Sequence, residues 1–259
     1  MAKTERQKLY MFLPVVSIGA FLIIWIVLAG KEGSLLPTPV ATAVKFVDIL
    51  FHPISNATLI VHILASLRRV MIAFVAAVIT GVGLGVGLGW SAKFNAVFGT
   101  IFEILRPIPP IAWIPLVVMW FGIGEMPKIF IVFIGSFIPI VLNTCSGIKD
   151  IDPLLINAGK TLGANKRQLL MEIALPATVP AILAGIKTAL SSGWMCVVAA
   201  EMIVAKQGVG FLIVRGQESG DTALIVVCML AIGVVNSILS FTLTKLEGVL
   251  CPWQFSKTK

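Results

Sequence analysis

The stretch Asp152–Pro176 reads DPLLINAGKTLGANKRQLLMEIALP and is the longest polar interruption between strongly apolar segments of the chain. It divides into two short helices with legible starts and stops. Asp152 is placed to cap the first helix, and Pro153 fits the first helical position, where an N–H would be unpaired anyway. Leu154, Leu155, Ala158 and Leu162 then fall on one side at helical spacing. Gly163 supplies the left-handed residue that ends a helix. Asn165 caps the second helix, with Lys166, Arg167 and Gln168 in its first turn. Leu169, Leu170 and Ile173 lead to Leu175–Pro176, where the apolar regime resumes. A helix–turn–helix between two membrane segments is either an ordinary connection or a docking knob.

The surroundings are those of a membrane protein. Of 259 residues 58% are apolar and only 12% charged, about half the charge of an average soluble chain. The mean hydropathy is +1.01. A water-soluble fold could not cover such a core. Cys145, Cys196, Cys228 and Cys251 are scattered, without metal or disulfide spacing, and His52 and His62 are the only histidines. No metal site and no catalytic constellation is expected. The first apolar segment lacks a cleavage pattern and does not read as a removable signal. The pI near 9.5 points to anionic lipid at the cytoplasmic face rather than to nucleic acid.

Working outward gives an all-α integral membrane protein of six spans. Leu9–Ala29, Val70–Trp90, Pro107–Gly122, Ile129–Gly147, Val179–Ala200 and Ala223–Thr244 are each apolar and near the length a bilayer requires. Gly30–His62 is placed outside, with a weakly amphipathic Val40–Phe51. Gly81, Gly85 and Gly89 lie four apart and flatten one helix face, so another backbone can approach closely. Pro107, Pro109, Pro110 and Pro115 remove backbone donors, so the third span should be bent at its start. Such irregularity is tolerated inside protein or beside a water-filled path, which places it toward the bundle centre. Glu201–Asp221 is an outer loop whose apolar Val209–Val214 dips back inward. Twelve Lys and Arg then fall inside and seven outside, which sets both termini in the cytoplasm. Arg68 and Arg69 fit this poorly, standing at the outer edge of a span. No internal repeat relates the halves, against the duplicated build of many secondary transporters.

The spacing of Asn157-Ala158-Gly159, Gly163, Ile173 and Leu175-Pro176 resembles the Glu-Ala-Ala, Gly, Ile-x-Leu-Pro signature of ABC importer permeases. Asn157 stands where that family has Glu, and Gly159 where it has the second Ala. Leu36–Pro39, Leu105–Pro110, Trp120–Glu125, Pro139–Thr144, Ala200–Met202 and Gly208–Gly210 are similar to the nitrate, taurine and alkanesulfonate branch, so the likeness runs over nearly the whole chain. It implies a type I importer fold in a single transmembrane domain, residues 1–259, with a core of about 60–245, in a bacterial inner membrane. Residues 152–173 would be the coupling helix, docking on an ATPase through Leu155, Asn157, Ala158, Gly159, Thr161, Leu162, Gly163, Lys166 and Arg167. The implied assembly holds two permease copies, two ATPase subunits that carry ATP and Mg, and an extracytoplasmic solute-binding protein. The chain has no Gly-x-x-x-x-Gly-Lys-Ser/Thr phosphate loop, so it binds no nucleotide cofactor itself and is not an enzyme.

Lys187 is the one charge deep in a span, about 16 Å beyond Pro176 at about 1.5 Å per residue. Either it faces the pathway and attracts an anion, or it pairs with a carboxylate or carbonyl and holds the bundle. Ser191, Trp194, Pro109 and Trp113 are the other pathway candidates, each with packing as its plain alternative. Glu201 belongs near the outer face, where it either pairs with Lys206 or Arg215, the preferred reading, or touches the binding protein. The functional expectation is alternating-access import of a small anionic solute; the alternative is an ATP-independent secondary transporter or channel. An intramembrane protease is excluded by the absence of a Gly-x-Ser-x-Gly elbow and of histidine pairs.

Overall fold

The computed structural model describes residues 2–31 and 34–252, with side chains from Leu13 onward. The basic flanks Lys3, Arg6 and Lys8, and Lys257 and Lys259, lie outside the described side chains. The fold is helical throughout: α1 Ala2–Ala29, α2 Pro39–Phe51, α3 Leu59–Trp90, α4 Ala92–Leu105, a 3-10 turn Pro110–Trp113, α5 Ile114–Phe121, α6 Glu125–Lys149, α7 Pro153–Thr161, α8 Lys166–Gln168, a π-helical turn Leu169–Ala174, α9 Leu175–Val204, α10 Val209–Glu218 and α11 Thr222–Leu250.

Four of these are long and apolar enough to cross a bilayer: α3, α6, the continuous run Lys166–Val204, and α11. The pair α4 and Pro110–Phe121, bent by 88°, makes a fifth if it counts as one span. Leu13–Ala29 is a shorter apolar helix. The bend is the irregularity that the prolines predict. Pro107, Pro109 and Pro110 cannot donate to the preceding turn, so α4 stops at Leu105 and the chain restarts in a new direction.

α3 is longer than the apolar pattern suggests. It begins at Leu59, not Val70, with Thr58 as its cap, so Arg68 and Arg69 lie inside the helix rather than at its edge. The core forms where α3, α6 and α9 meet, around Val70, Ala73, Ala77, Val117, Ile131, Val132, Ile140, Trp194 and Val197. The glycine face of α3 lies flat on α6. A Cβ at Gly81 would stand 3.0 Å from Ile140, one at Gly85 2.6 Å from Thr144, and one at Gly89 2.8 Å from Ile148. Three glycines spaced by four thus meet three α6 residues spaced by four, the close approach that the sequence predicts.

The helix after Asn165 does not break at Pro176. The π-helical turn over Leu169–Ala174 precedes the proline and carries the helix into α9. A wider turn is where a helix absorbs a local misfit of this kind.

Candidate functional site: a protruding knob and a buried charge hub

The knob is built by its caps. The Asp152 carboxylate accepts from Leu154 N at 2.8 Å and starts α7. Gly163 takes φ +84°, a left-handed value open to glycine without strain. Asn165 Oδ1 accepts from Arg167 N at 3.0 Å and Gln168 N at 2.9 Å, while Gln168 Oε1 accepts from Asn165 N at 2.9 Å. That reciprocal capping box fixes the second helix. Gly159 is buried, because a Cβ there would meet Leu169 Cδ2 at 2.8 Å. It seats α7 on the π-helical turn and is withdrawn from any partner. The other docking candidates, Leu155, Asn157, Ala158, Thr161, Leu162, Gly163, Lys166 and Arg167, are exposed. Leu154 is 71% and Leu162 88% exposed, a large apolar area to leave uncovered on a capped, otherwise polar knob.

At the opposite end of the bundle lies a hub the sequence reading missed. Arg69, 3% exposed, reaches out of the middle of α3. Its Nε and Nη2 donate to the two oxygens of Glu125 at 2.7 and 2.9 Å. Its Nη1 donates to Glu201 Oε1 at 2.6 Å and to the Gln207 carbonyl at 2.8 Å. Glu201 Oε2 accepts from Ser66 Oγ at 2.8 Å and from Gly210 N at 3.0 Å. Ser66 Oγ in turn accepts from Val209 N at 3.0 Å. Lys128 Nζ donates to Glu125 Oε1 at 2.6 Å.

The buried cations Arg69 and Lys128 thus match the two carboxylates, with the exposed Arg68 also 3.5 Å from Glu125, and both Glu201 oxygens are satisfied, the condition under which buried charge is tolerated. The arrangement staples α3, the start of α6, the end of α9 and the start of α10.

Glu201 is thus buried and paired with Arg69, not with Lys206 or Arg215. It is 1% exposed, and Arg215 pairs with Glu218 at 3.0 Å instead. The correction has a simple cause: a carboxylate this deep needs a cation that is also buried, and Lys206 and Arg215 lie on the surface side of the loop.

His62 extends the hub. Its Nδ1 accepts from Gly208 N at 3.1 Å, which assigns the proton to Nε2, donating to the Ile54 carbonyl at 3.2 Å. Gly208, at φ +132°, packs against the Glu201 carboxylate where a Cβ would collide. Val209–Val214 does turn inward: Val209 and Leu212 are buried, in the first turn and a half of α10. A signal for the hub was present, since an arginine within an apolar helix marks a site by default. Starting the span at Val70 hid it.

Lys187 pairs with Glu247 near the far end of α11, the second of the two roles open to it. Its charge is neutralised, and the pair ties α9 to α11. Trp194 is buried in the core of this chain, and Trp113 packs against the same cluster. Ser191 is half-buried. Pro109 opens on a cleft of about 280 Å³ at the proline bend, shared with Arg106, Pro139, Ser192 and Met195. Among the described residues the geometry offers a protruding knob, a stapled end and a bent segment beside a cleft.

The sequence matches the family described as binding-protein-dependent transport system inner membrane component over residues 77–252. The chain belongs to this family. It is 36% identical to a putative ABC transporter permease protein of Methanocaldococcus jannaschii, over 97% of this chain and 94% of that one. It is 34% identical to the taurine transport system permease protein TauC of Escherichia coli, over 93% and 89%. It is 32% identical to the nitrate import permease protein NrtB of Synechocystis, over 92% and 89%. In fold it is similar to the MetNI methionine ABC transporter in an inward-facing conformation, with TM-score 0.67 at 18% identity over 74% of this chain and 95% of that one. An amino acid ABC transporter solved with histidines gives TM-score 0.60 at 17% identity, over 80% and 95%. The chain is thus a multi-pass inner-membrane permease subunit of the ABC importer type, a transport rather than a catalytic component.

Proposed function

We propose that two copies of this permease form the pathway of an importer for a small anionic solute of the taurine or nitrate class, and that segment 152–173 is the coupling helix. The supporting observation is the knob itself. It is rigidly capped, it leaves Leu154, Leu155 and Leu162 bare to solvent, and its second helix runs without a break into α9. A separate ATPase subunit that takes this apolar face would move α9 directly, driving alternating access. A solute-binding protein would deliver cargo at the hub end. The substrate class rests on the taurine and nitrate relatives.

In this reading α1 is the sixth span, residues 1–259 form one domain, and both termini are cytoplasmic. The orientation rests on the count of Lys and Arg, twelve on the knob side and seven on the hub side when the basic flanks are assigned with the knob, the bias that the positive-inside rule reads. Pro109 and Ser191 are assigned to the pathway wall and Trp113 to its edge, with Trp194 supporting that wall from behind.

The test replaces Leu155 and Leu162 by Asp. The variant should insert and fold normally, fail to co-purify with an ATPase subunit, and lose ATP-dependent uptake. Uptake that survives in vesicles with no ATPase would overturn the reading in favour of a self-powered carrier or channel.

A further inference from the structure

A second feature of the knob is not used by ATPase docking through its leucines. Where α7 and α8 lean back toward the corner between α3 and α4, they leave a cleft of about 460 Å³. Lys93, Lys160 and Lys166 line it together with Trp90, Ile156 and Leu169. The three lysines have no carboxylate within 4.0 Å among the described residues. Lining of this kind is two-faced. The ammonium groups call for an anion that brings its own charge, while the tryptophan, isoleucine and leucine offer an apolar wall.

Position narrows the choice of anion. Trp90 ends the long apolar α3 and Ser91 caps α4, so the cleft sits where the apolar spans give way to the polar knob. Tryptophan favours that interfacial level, and basic pockets beside membrane helices there suit phosphate headgroups. A soluble anion would use the lysines and leave the apolar wall wet. A phospholipid uses both.

We propose that this cleft binds the headgroup of an anionic phospholipid, with the phosphate on Lys93, Lys160 and Lys166 and the glycerol and upper acyl region against Trp90, Ile156 and Leu169. The lipid then wedges the knob against the α3–α4 corner and sets its angle to α9. That consequence rests on the coupling role proposed for the knob; the binding itself does not.

The experiment is lipid retention by the full chain, purified in mild detergent and measured by native mass spectrometry after exchange with phosphatidylglycerol or phosphatidylcholine. The wild-type chain should retain phosphatidylglycerol and not phosphatidylcholine. Lys93→Gln/Lys160→Gln/Lys166→Gln should weaken phosphatidylglycerol retention about a hundredfold, each lysine near an anionic surface contributing roughly fivefold. Each single change should cost about fivefold, which keeps the test informative should the triple variant fold poorly. Lys149→Gln removes an unpaired lysine of the same face outside the cleft and should leave retention unchanged.

Equal retention by the wild type and the single variants would overturn the proposal. So would displacement of phosphatidylglycerol by inorganic phosphate at equal concentration, which would make the ligand a free anion. Loss of ATPase co-purification with lipid retention intact would make the cleft a protein-docking surface and refute the lipid assignment. Failure of the leucine test above leaves lipid retention untouched, so the two readings fail separately.

Discussion

Replacing Arg69 by methionine removes the centre of the hub while keeping most of the side chain's aliphatic volume. Its four hydrogen bonds go to partners in very different surroundings. The Glu125 side chain is 41% exposed and keeps Lys128 at 2.6 Å, so water and lysine make up much of its loss. The Glu201 side chain is 0% exposed and keeps only Ser66 Oγ and Gly210 N. A carboxylate stranded in that way costs about 3–5 kcal/mol. Removing the stranded charge as well, in Arg69→Met/Glu201→Leu, should recover part of that loss, because replacing both members of a buried pair by apolar groups is often neutral. Stability of the detergent-solubilised chain against denaturant, read from the shift in midpoint at constant slope, measures all the corners of the cycle. The reasoning is refuted if Arg69→Met costs under about 1 kcal/mol, or if the double variant loses the sum of the two single losses. Either result would mean that the two side chains do not depend on each other.

Two further outcomes follow from local geometry. Gly85→Val would press against Thr144 Cβ and Val141 O, which an added Cβ already meets at 2.6 and 2.9 Å; it should destabilise by about 1–3 kcal/mol as overpacking does, whereas Gly83→Val, with open space at its Cβ, should be close to neutral in the same unfolding assay. The Lys45–Asp221 pair, at 2.9 Å, joins α2 to the start of α11. Its hydrogen bond to Asp221 raises the Lys45 pKa; burial pushes Asp221 up, but bonds from Lys45 and from the Leu224 and Ala223 backbone outweigh it and leave the carboxyl lowered. The stabilisation from the depressed Asp221 is therefore present above the ordinary carboxylate value and lost as pH falls through its lower folded value, and that from Lys45 is present below the ordinary lysine value and lost as pH rises through its higher one. Lys45→Met should thus cost a constant amount, at most about 1 kcal/mol for a pair this near the surface, between about pH 5 and 9, and progressively less below about pH 4.

Local signals were legible and long-range ones were not. The knob's caps at Asp152, Gly163 and Asn165, the glycine face at Gly81, Gly85 and Gly89, and the proline break before α5 each depend on residues within a turn or two of one another, and all are where the sequence puts them. The hub joins Ser66 and Arg69 to Glu201 across 135 and 132 positions, and no periodicity carries that pairing. Lys206 and Arg215 are the cations near Glu201 in sequence, whereas its partner Arg69 lies 132 positions away. The start of α3 is masked for a related reason. Polar residues from Thr58 to Arg69 dilute the apolar pattern, yet each polar side chain that is buried there, His62, Ser66 and Arg69, is satisfied by a distant partner.

The stapled end and the knob share one helix, and this constrains how the permease can move. The run from Lys166 to Val204 is 39 residues, about 58 Å at about 1.5 Å per residue. It carries the knob at one end, the Lys187–Glu247 pair along its length and Glu201 at the other end. A displacement entering at the knob therefore reaches the hub without crossing a loop. At the hub, α9 is bound directly to α3 and α10, and through Arg69 to α6, by charge-assisted bonds that would strand buried charge if they parted. Those four helices must shift together. The flexure has to lie where the chain has neither packing nor bonds to resist it. Among the described residues the 88° bend between α4 and α5 qualifies, since α4 buries no side chain. So does Gly122, at φ +71° with open space around it, just before α6. Ile114 and Val117 hold α5 in the bundle core, so a swing of α4 about the bend is the motion that would change the cleft at Pro109, which is walled by Arg106 and Pro109 at the bend and by Pro139, Ser192 and Met195 from the bundle.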